Sequence, residues 1–262
     1  MLPIEVIGIS KSFPLLNSPK SYLQVLQEVS FSVRKGEVVF IIGPSGVGKT
    51  VLLNCIAGLI EIDKGEIKID GETTQRRLNG RPIKIPADAI SRRYRTAMVF
   101  QHLHLWPHKT ILENVAEPLL VVHKKSKEEA QSRALEELER VKLEDKANDY
   151  PQTISGGQQQ RAAIARALVT EPQIILMDEI TSALDPELTG EVLEVIKSLA
   201  EQHYTMLMIT HEINFAKELA DRVTFLCDGR IVEQGTPEEV LTRPKNERTR
   251  VFLKRYFEGL RK

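Results

Sequence analysis

Two spacings of apolar residues alternate along the chain. Residues 37–42, 174–177 and 206–209 are short apolar runs with little polar alternation, the pattern of strands buried on both faces of a parallel sheet. Residues 66–70 alternate like a half-buried strand and stop at Gly71. A helix is predicted from Lys49 to about Ala57, ended by Gly58. From 110 to about 147 the spacing is helical throughout: Ala130, Ala134, Leu138 and Val141 form one core stripe, and Ser126 with Glu129 predicts a capping box. Residues 246–259 read as a charged amphipathic helix. Strands alternating with helices predict an α/β fold with a mostly parallel sheet, and the helical block between the two α/β halves predicts an inserted subdomain.

Composition narrows the class. With 262 residues and 42% hydrophobic content, one large α/β domain can bury a sizeable core. Lys and Arg total 36, as do Asp and Glu, and this balance argues against a general nucleic-acid binder, which carries a basic excess. Cys55 and Cys227 are far apart and form no C-x-x-C pair, so a disulfide framework is not expected and a reducing compartment fits. The first residues lack the basic and apolar regions of a signal peptide. No apolar run approaches the roughly 18–20 residues of a membrane span. Any role at a membrane is therefore expected to run through a partner.

The chemistry begins at Gly43-Pro44-Ser45-Gly46-Val47-Gly48-Lys49-Thr50, which matches G-x-x-x-x-G-K-[ST]. Glycines let the backbone curl so that successive N–H groups point at phosphate oxygens, and the following helix offers its positive end to the same anion. Lys49 is expected to reach the β- and γ-phosphates and the Thr50 hydroxyl to ligate Mg²⁺. A chance glycine turn would not also follow a predicted strand and open a predicted helix. The run 174–177 ends in Asp178 and Glu179, carboxylates at the strand edge where α/β sheets bind ligands. Asp178 is expected to hold Mg²⁺, and Glu179 to orient and deprotonate an attacking water.

At Ser155-Gly156-Gly157-Gln158, followed by Gln159, Gln160 and Arg161, the chain resembles ATP-binding cassette proteins. The resemblance runs from about Ile4 to Leu260. It implies a P-loop NTPase core with an N-terminal antiparallel β part and a helical and signature subdomain over about 102–165, all within one ATP-binding domain spanning 1–262. It implies that Gln101 senses Mg-ATP, ligates the metal and faces a transmembrane partner, that the loop Ser182-Ala-Leu-Asp185 crosses a dimer interface, and that His211 contacts the γ-phosphate. Two copies would pack head to tail, each ATP held between one phosphate loop and the signature of the other copy. Phe13 fits the place of the adenine-stacking aromatic, with Tyr22 as its rival because residues 14–22 look like an insertion. Ile180, Ile154 and Ala97 stand where the family has Pro, Leu and Gly.

The text of residues 100–115, of Phe215 with residues 220–223, and of residues 246–253 is similar to the polar-amino-acid uptake branch. This implies a peripheral subunit on the cytoplasmic face of a prokaryotic membrane, paired with two permease subunits and, indirectly, a solute-binding protein. Importers of another small solute remain an alternative. A soluble cassette ATPase without a transport role is a further alternative; DNA-repair cassettes carry a coiled-coil or zinc-binding insertion and translation-factor cassettes two copies, neither of which is seen here, and a P-loop kinase would not explain the signature.

Overall fold

The structure is a computed structural model, and it describes all residues except 16, 17, 79, 80, 84, 86–94, 183 and 260–262. Its elements begin with strands β1 (Ile4–Leu15), β2 (Ser18–Val33) and β3 (Val38–Ile42), helix α1 (Lys49–Ile56), and strands β4 (Lys64–Ile69), β5 (Glu72–Leu78) and β6 (Arg81–Pro82). The middle of the chain holds β7 (Thr96–Val99), α2 (Ile111–Val121), α3 (Lys127–Arg140), α4 (Gly156–Leu168), β8 (Ile174–Asp178) and α5 (Pro186–Glu201). It ends with β9 (Thr205–Ile209), α6 (Ile213–Leu219), β10 (Arg222–Cys227), β11 (Arg230–Gly235) and α7 (Glu247–Gly259). The chain forms two compact units, residues 1–93 with 203–262, and residues 94–202.

In the first unit β3 lies between β9 and β10 and runs parallel to both, while β11 pairs antiparallel with β10. Every residue of β3 and of β9 is buried, which is why these stretches carry no polar alternation. The same unit holds an antiparallel sheet in the order β2-β1-β4-β5-β6. Ile4, Val6 and Ile9 of β1 and Leu26, Val29 and Val33 of β2 form its buried face. Strand β4 extends the expected 66–70 segment toward the N-terminus, and Asp70 (φ 50°) and Gly71 (φ 75°) turn the chain into β5.

In the second unit β7 and β8 pair in parallel, with Ala97 opposite Ile175. Helices α2, α3 and α4 come between them in sequence and pack on one another, and α4 also packs on α5. The stripe Ala130, Ala134, Leu138 and Val141 is fully buried, as its spacing predicts. The expectation of helix throughout 110–147 is corrected. The chain breaks after Val121, Lys124 takes a left-handed conformation (φ 54°), and α3 starts only at Lys127 and ends at Arg140, before a single 3₁₀ turn at Glu144–Lys146. Ser126 Oγ accepts from Glu129 N at 3.2 Å, but the Glu129 carboxylate accepts from Lys125 Nζ at 2.7 Å, so one half of the expected capping box forms.

Candidate functional site

The loop 43–50 joins buried β3 to α1. A Cβ at Gly43 would lie 2.1 Å from the Leu226 carbonyl oxygen, and one at Gly48 2.8 Å from Val25 Cγ1. Gly48 (φ 101°) is also the N-cap of α1, so close packing demands a glycine at both positions and the left-handed backbone favours one at Gly48. Lys49 is 4% exposed, and its ammonium donates to the carbonyls of Gly43 (3.0 Å) and Pro44 (3.1 Å), closing the loop on itself. The first turn of α1 has no acidic residue, so its positive end is not offset from within. Pro44, Ser45, Gly46, Val47 and Thr50 complete the loop in the same unit.

His211 is exposed, two residues beyond buried β9. Thr210 Oγ1 accepts from Glu212 N at 2.9 Å and the His211 carbonyl accepts from Ile213 N at 3.0 Å, which fixes the turn that carries the imidazole into α6. Phe13 pairs with Leu23 and Pro14 with Tyr22, so β1 and β2 continue as a paired ribbon through most of the expected insertion; residues 16 and 17 lie outside the described set. Successive pairs on a ribbon face opposite sides, so Phe13 and Tyr22 do too. Lys11 Nζ stands 5.2 Å from the Phe13 ring centre, while Tyr22 is 66% exposed.

In the second unit, β8 delivers Asp178, 4% exposed, at its C-terminal end. Glu179 follows with φ 46°, a left-handed conformation that costs a residue with a Cβ on the order of 1–2 kcal/mol. Its carbonyl accepts from Ser182 N (3.0 Å) and from Ser182 Oγ (2.8 Å), and Ser182 Oγ in turn lies 3.0 Å from Gln101 Nε2. Gln101, two residues beyond β7, is thereby tied to the backbone of Glu179. Ile180 is buried, which explains how an apolar residue substitutes for Pro at that position.

Ser155 is the N-cap of α4. Its Oγ accepts from Gln158 N (3.3 Å) and Gln158 Oε1 accepts from Ser155 N (2.9 Å), a complete capping box. A Cβ on Gly157 would lie 3.1 Å from Leu188 Cβ, and one on Gly156 3.2 Å from Leu184 Cδ2, so both glycines also serve the packing of α4 against the start of α5. Asp185 is the N-cap of α5 without a side-chain capping bond, and Ala183 beside it lies outside the described residues.

Arg161, named above only as part of the signature run, also has a structural role, and two further residues, Asn114 and Arg166, were given no role by the sequence. Arg161, 7% exposed, donates to the carbonyls of Val141 (2.7 Å) and Lys142 (2.9 Å) and to the Glu191 carboxylate (2.9 Å). Fully buried Asn114 donates to the carbonyls of Trp106, Lys109 and Thr110 and accepts from Trp106 N, pinning the loop after Gln101. Arg166 donates to the carbonyls of Leu103 and His104 and stacks 5.2 Å from the Trp106 ring; burial pushes its guanidinium pKa down. Together with Phe100, His104 and Pro118, Trp106 and Arg166 line an open groove. A T-x-x-E pattern at Thr110 and Glu113, and S-x-x-Q at Ser155 and Gln158, were the available signals for the capping boxes at the starts of α2 and α4.

The phosphate loop, Phe13 and His211 belong to the first unit; Gln101, the signature, Asp178, Glu179 and Asp185 belong to the second. The profile of a family described as ABC transporter matches residues 26–182. The chain is 51% identical over 239 residues to the probable amino-acid import ATP-binding protein YxeO of Bacillus subtilis, covering 88% of this chain and 91% of that one. It is 46% identical over 257 residues to the L-cystine import ATP-binding protein TcyC of Bacillus subtilis, covering 98% and 100%. Among solved structures, the dimeric post-hydrolysis cassette MJ0796 bound to ADP and Pi superposes with a TM-score of 0.76 at 35% identity, covering 90% of this chain and 99% of that one. Among the described residues no helix is long and apolar enough to cross a membrane.

Proposed function

The chain belongs to the ABC transporter family, and from that premise we propose that it is the ATP-hydrolysing subunit of an importer that takes up a polar amino acid. It binds ATP and is an ATP hydrolase of that family. The observation that carries the mechanism is the pairing of chemistry with position. A phosphate loop leaves one buried parallel strand, and a carboxylate pair leaves another.

Lys49 and the backbone of residues 43–50 hold the β- and γ-phosphates. The Thr50 hydroxyl, the Asp178 carboxylate and the Gln101 amide oxygen are hard oxygen donors, the kind of set that suits Mg²⁺. When bound, that ion offsets charge on the phosphate oxygens. Glu179 orients a water and takes its proton, and His211 contacts the γ-phosphate. Phe13 stacks on the adenine. The Ser155, Gly156, Gly157 and Gln158 signature of a second copy closes over the γ-phosphate through a helix N-terminus, with Asp185 in the loop that crosses between copies. ATP thus joins two chains and hydrolysis parts them. The 262 residues act as one ATP-binding domain whose part at about 102–165 carries the signature. The groove beside Trp106 and Arg166 receives a helix of a permease subunit at the cytoplasmic face of the membrane. A solute-binding protein feeds two such permease subunits, and no step involves nucleic acid.

The uptake reading is supported by near full-length similarity to relatives named for amino-acid, cystine and glutamine transport. Reconstituted with its permease subunits and binding protein in liposomes, the chain should show ATPase activity stimulated by a basic or amide amino acid. Stimulation only by a sugar, a metal, a lipid or a peptide would reject the uptake reading and leave the hydrolase intact.

A further inference from the structure

We propose that Ser182 is a positioning residue that fixes which end of the Gln101 amide is offered to the metal-bound nucleotide. The inference deepens the function proposed above and rests on it.

A hydroxyl has one proton to give. Ser182 Oγ lies 2.8 Å from the Glu179 carbonyl, which can only accept, so the Ser182 proton is committed there. Toward Gln101, 3.0 Å away, the same oxygen can then offer only a lone pair. The group facing it must be a donor, and the only donor of that amide is its NH₂ end. The order of donors and acceptors thus sets the orientation, independently of how similar nitrogen and oxygen look as atoms. With the NH₂ end held by Ser182, the oxygen end is the one presented to an incoming ligand. A hard divalent cation takes that oxygen and has no use for an amide nitrogen. Turning the amide over would set its oxygen against a lone pair of Ser182.

The same serine also fixes the acidic loop. Its N–H adds a second bond to the Glu179 carbonyl at 3.0 Å, which holds Glu179 in its left-handed conformation. One residue therefore couples the orientation of Gln101 to the backbone that carries the proposed base, across 81 positions of sequence. A serine that merely closes a turn would need only its N–H, and an alanine would serve as well.

The test compares wild type, Ser182→Ala, Ser182→Thr and Gln101→Ala by equilibrium titration of a fluorescent, non-hydrolysable ATP analogue, with Mg²⁺ and with a chelator. In wild type, Mg²⁺ tightens binding. In Ser182→Ala that gain shrinks by about 2- to 10-fold, the worth of one neutral hydrogen bond, while affinity without metal stays the same. Ser182→Thr keeps the hydroxyl and the gain. In a Gln101→Ala background Ser182→Ala removes nothing more, because the group it orients is gone. An undiminished Mg²⁺ gain in Ser182→Ala would overturn the inference alone. So would equal losses with and without metal, or a threonine variant as impaired as alanine. Wild-type protein whose ATP binding ignores Mg²⁺ would overturn the proposed mechanism and this inference with it.

Discussion

Phe13 and Tyr22 occupy adjacent pairs of one ribbon and face opposite sides, so an adenine lying on one face can meet only one of them. Phe13 has a cation beside its ring and partial cover, whereas Tyr22 stands out in solvent. Stacking of a base on an aromatic side chain contributes about 1–3 kcal/mol. Phe13→Ala should therefore weaken ATP binding by roughly 5- to 150-fold in a nucleotide titration, with Tyr22→Ala close to wild type. The reverse order would put the nucleotide on the other face of the ribbon. The cysteines differ for a plainer reason. Burial pushes the Cys55 thiol up to about 12, and a protonated thiol is a poor nucleophile. Cys227 is partly exposed at the end of β10. A thiol reagent at about neutral pH should label Cys227 alone in the folded protein, and both cysteines in denaturant; mass spectrometry of the peptides decides it. At this scale, legibility followed spacing. Lys49, Thr50 and Asp178 are readable as candidates because the roles proposed for them depend on neighbours in sequence. Ser182, Asn114 and Arg166 are not, because each is defined by a carbonyl or an amide that folding brings to it.

Arg161 shows how one side chain joins elements. Its guanidinium holds two carbonyls just past the end of α3 and a carboxylate on α5, while its own backbone lies in α4. Arg161→Ala should destabilise the protein by about 2–4 kcal/mol, since buried carbonyls lose charged donors, and the denaturant midpoint should fall accordingly. Arg161→Lys should recover little of this, because an ammonium cannot reproduce the fork. A midpoint unmoved by either change would show that the signature arginine is not a tie between these helices. The same contrast explains which elements the sequence reveals. Strands β3, β8 and β9 are buried along their whole length, so they appear as unbroken apolar runs. Strands β1 and β2 were expected only through the resemblance and not from their own spacing, because their pairing contains register shifts after Val6, Ile9, Lys11 and Pro14, and each shift breaks the two-residue period. The break between α2 and α3 was missed because the stripe from Ala130 to Val141 is helical in period on its own; nothing in it reports that Lys124 turns left-handed just before.

At the scale of the assembled molecule, the proposed mechanism needs Glu179 in one chain and a signature from another. Glu179 leaves a buried strand directly after Asp178, and its side chain is not part of the phosphate loop. Glu179→Gln keeps shape and removes the base. It should therefore still bind ATP and lose hydrolysis by about 10²- to 10⁴-fold, the scale of a positioned general base. With ATP unspent, two chains should stay joined, and the variant should elute as a dimer only when ATP is present. Ser155→Arg attacks the other half. It breaks the capping box at the start of α4 and fills the helix end that the second copy needs, so it should bind ATP on its own loop yet remain monomeric. Lys49→Ala removes the loop ammonium and leaves the signature whole. Each of these two variants alone lacks a complete site, whereas one Lys49→Ala chain and one Ser155→Arg chain can together form one. Mixing them should return ATPase activity that neither shows by itself, with a maximum near equal amounts, as a site shared between chains requires. No recovery at any ratio, undiminished hydrolysis by Glu179→Gln, or full turnover by a strictly monomeric chain would each reject a site built from two copies. Recovery at equal ratio would instead tie the loop on α1 and the capped end of α4 into one reaction across two molecules.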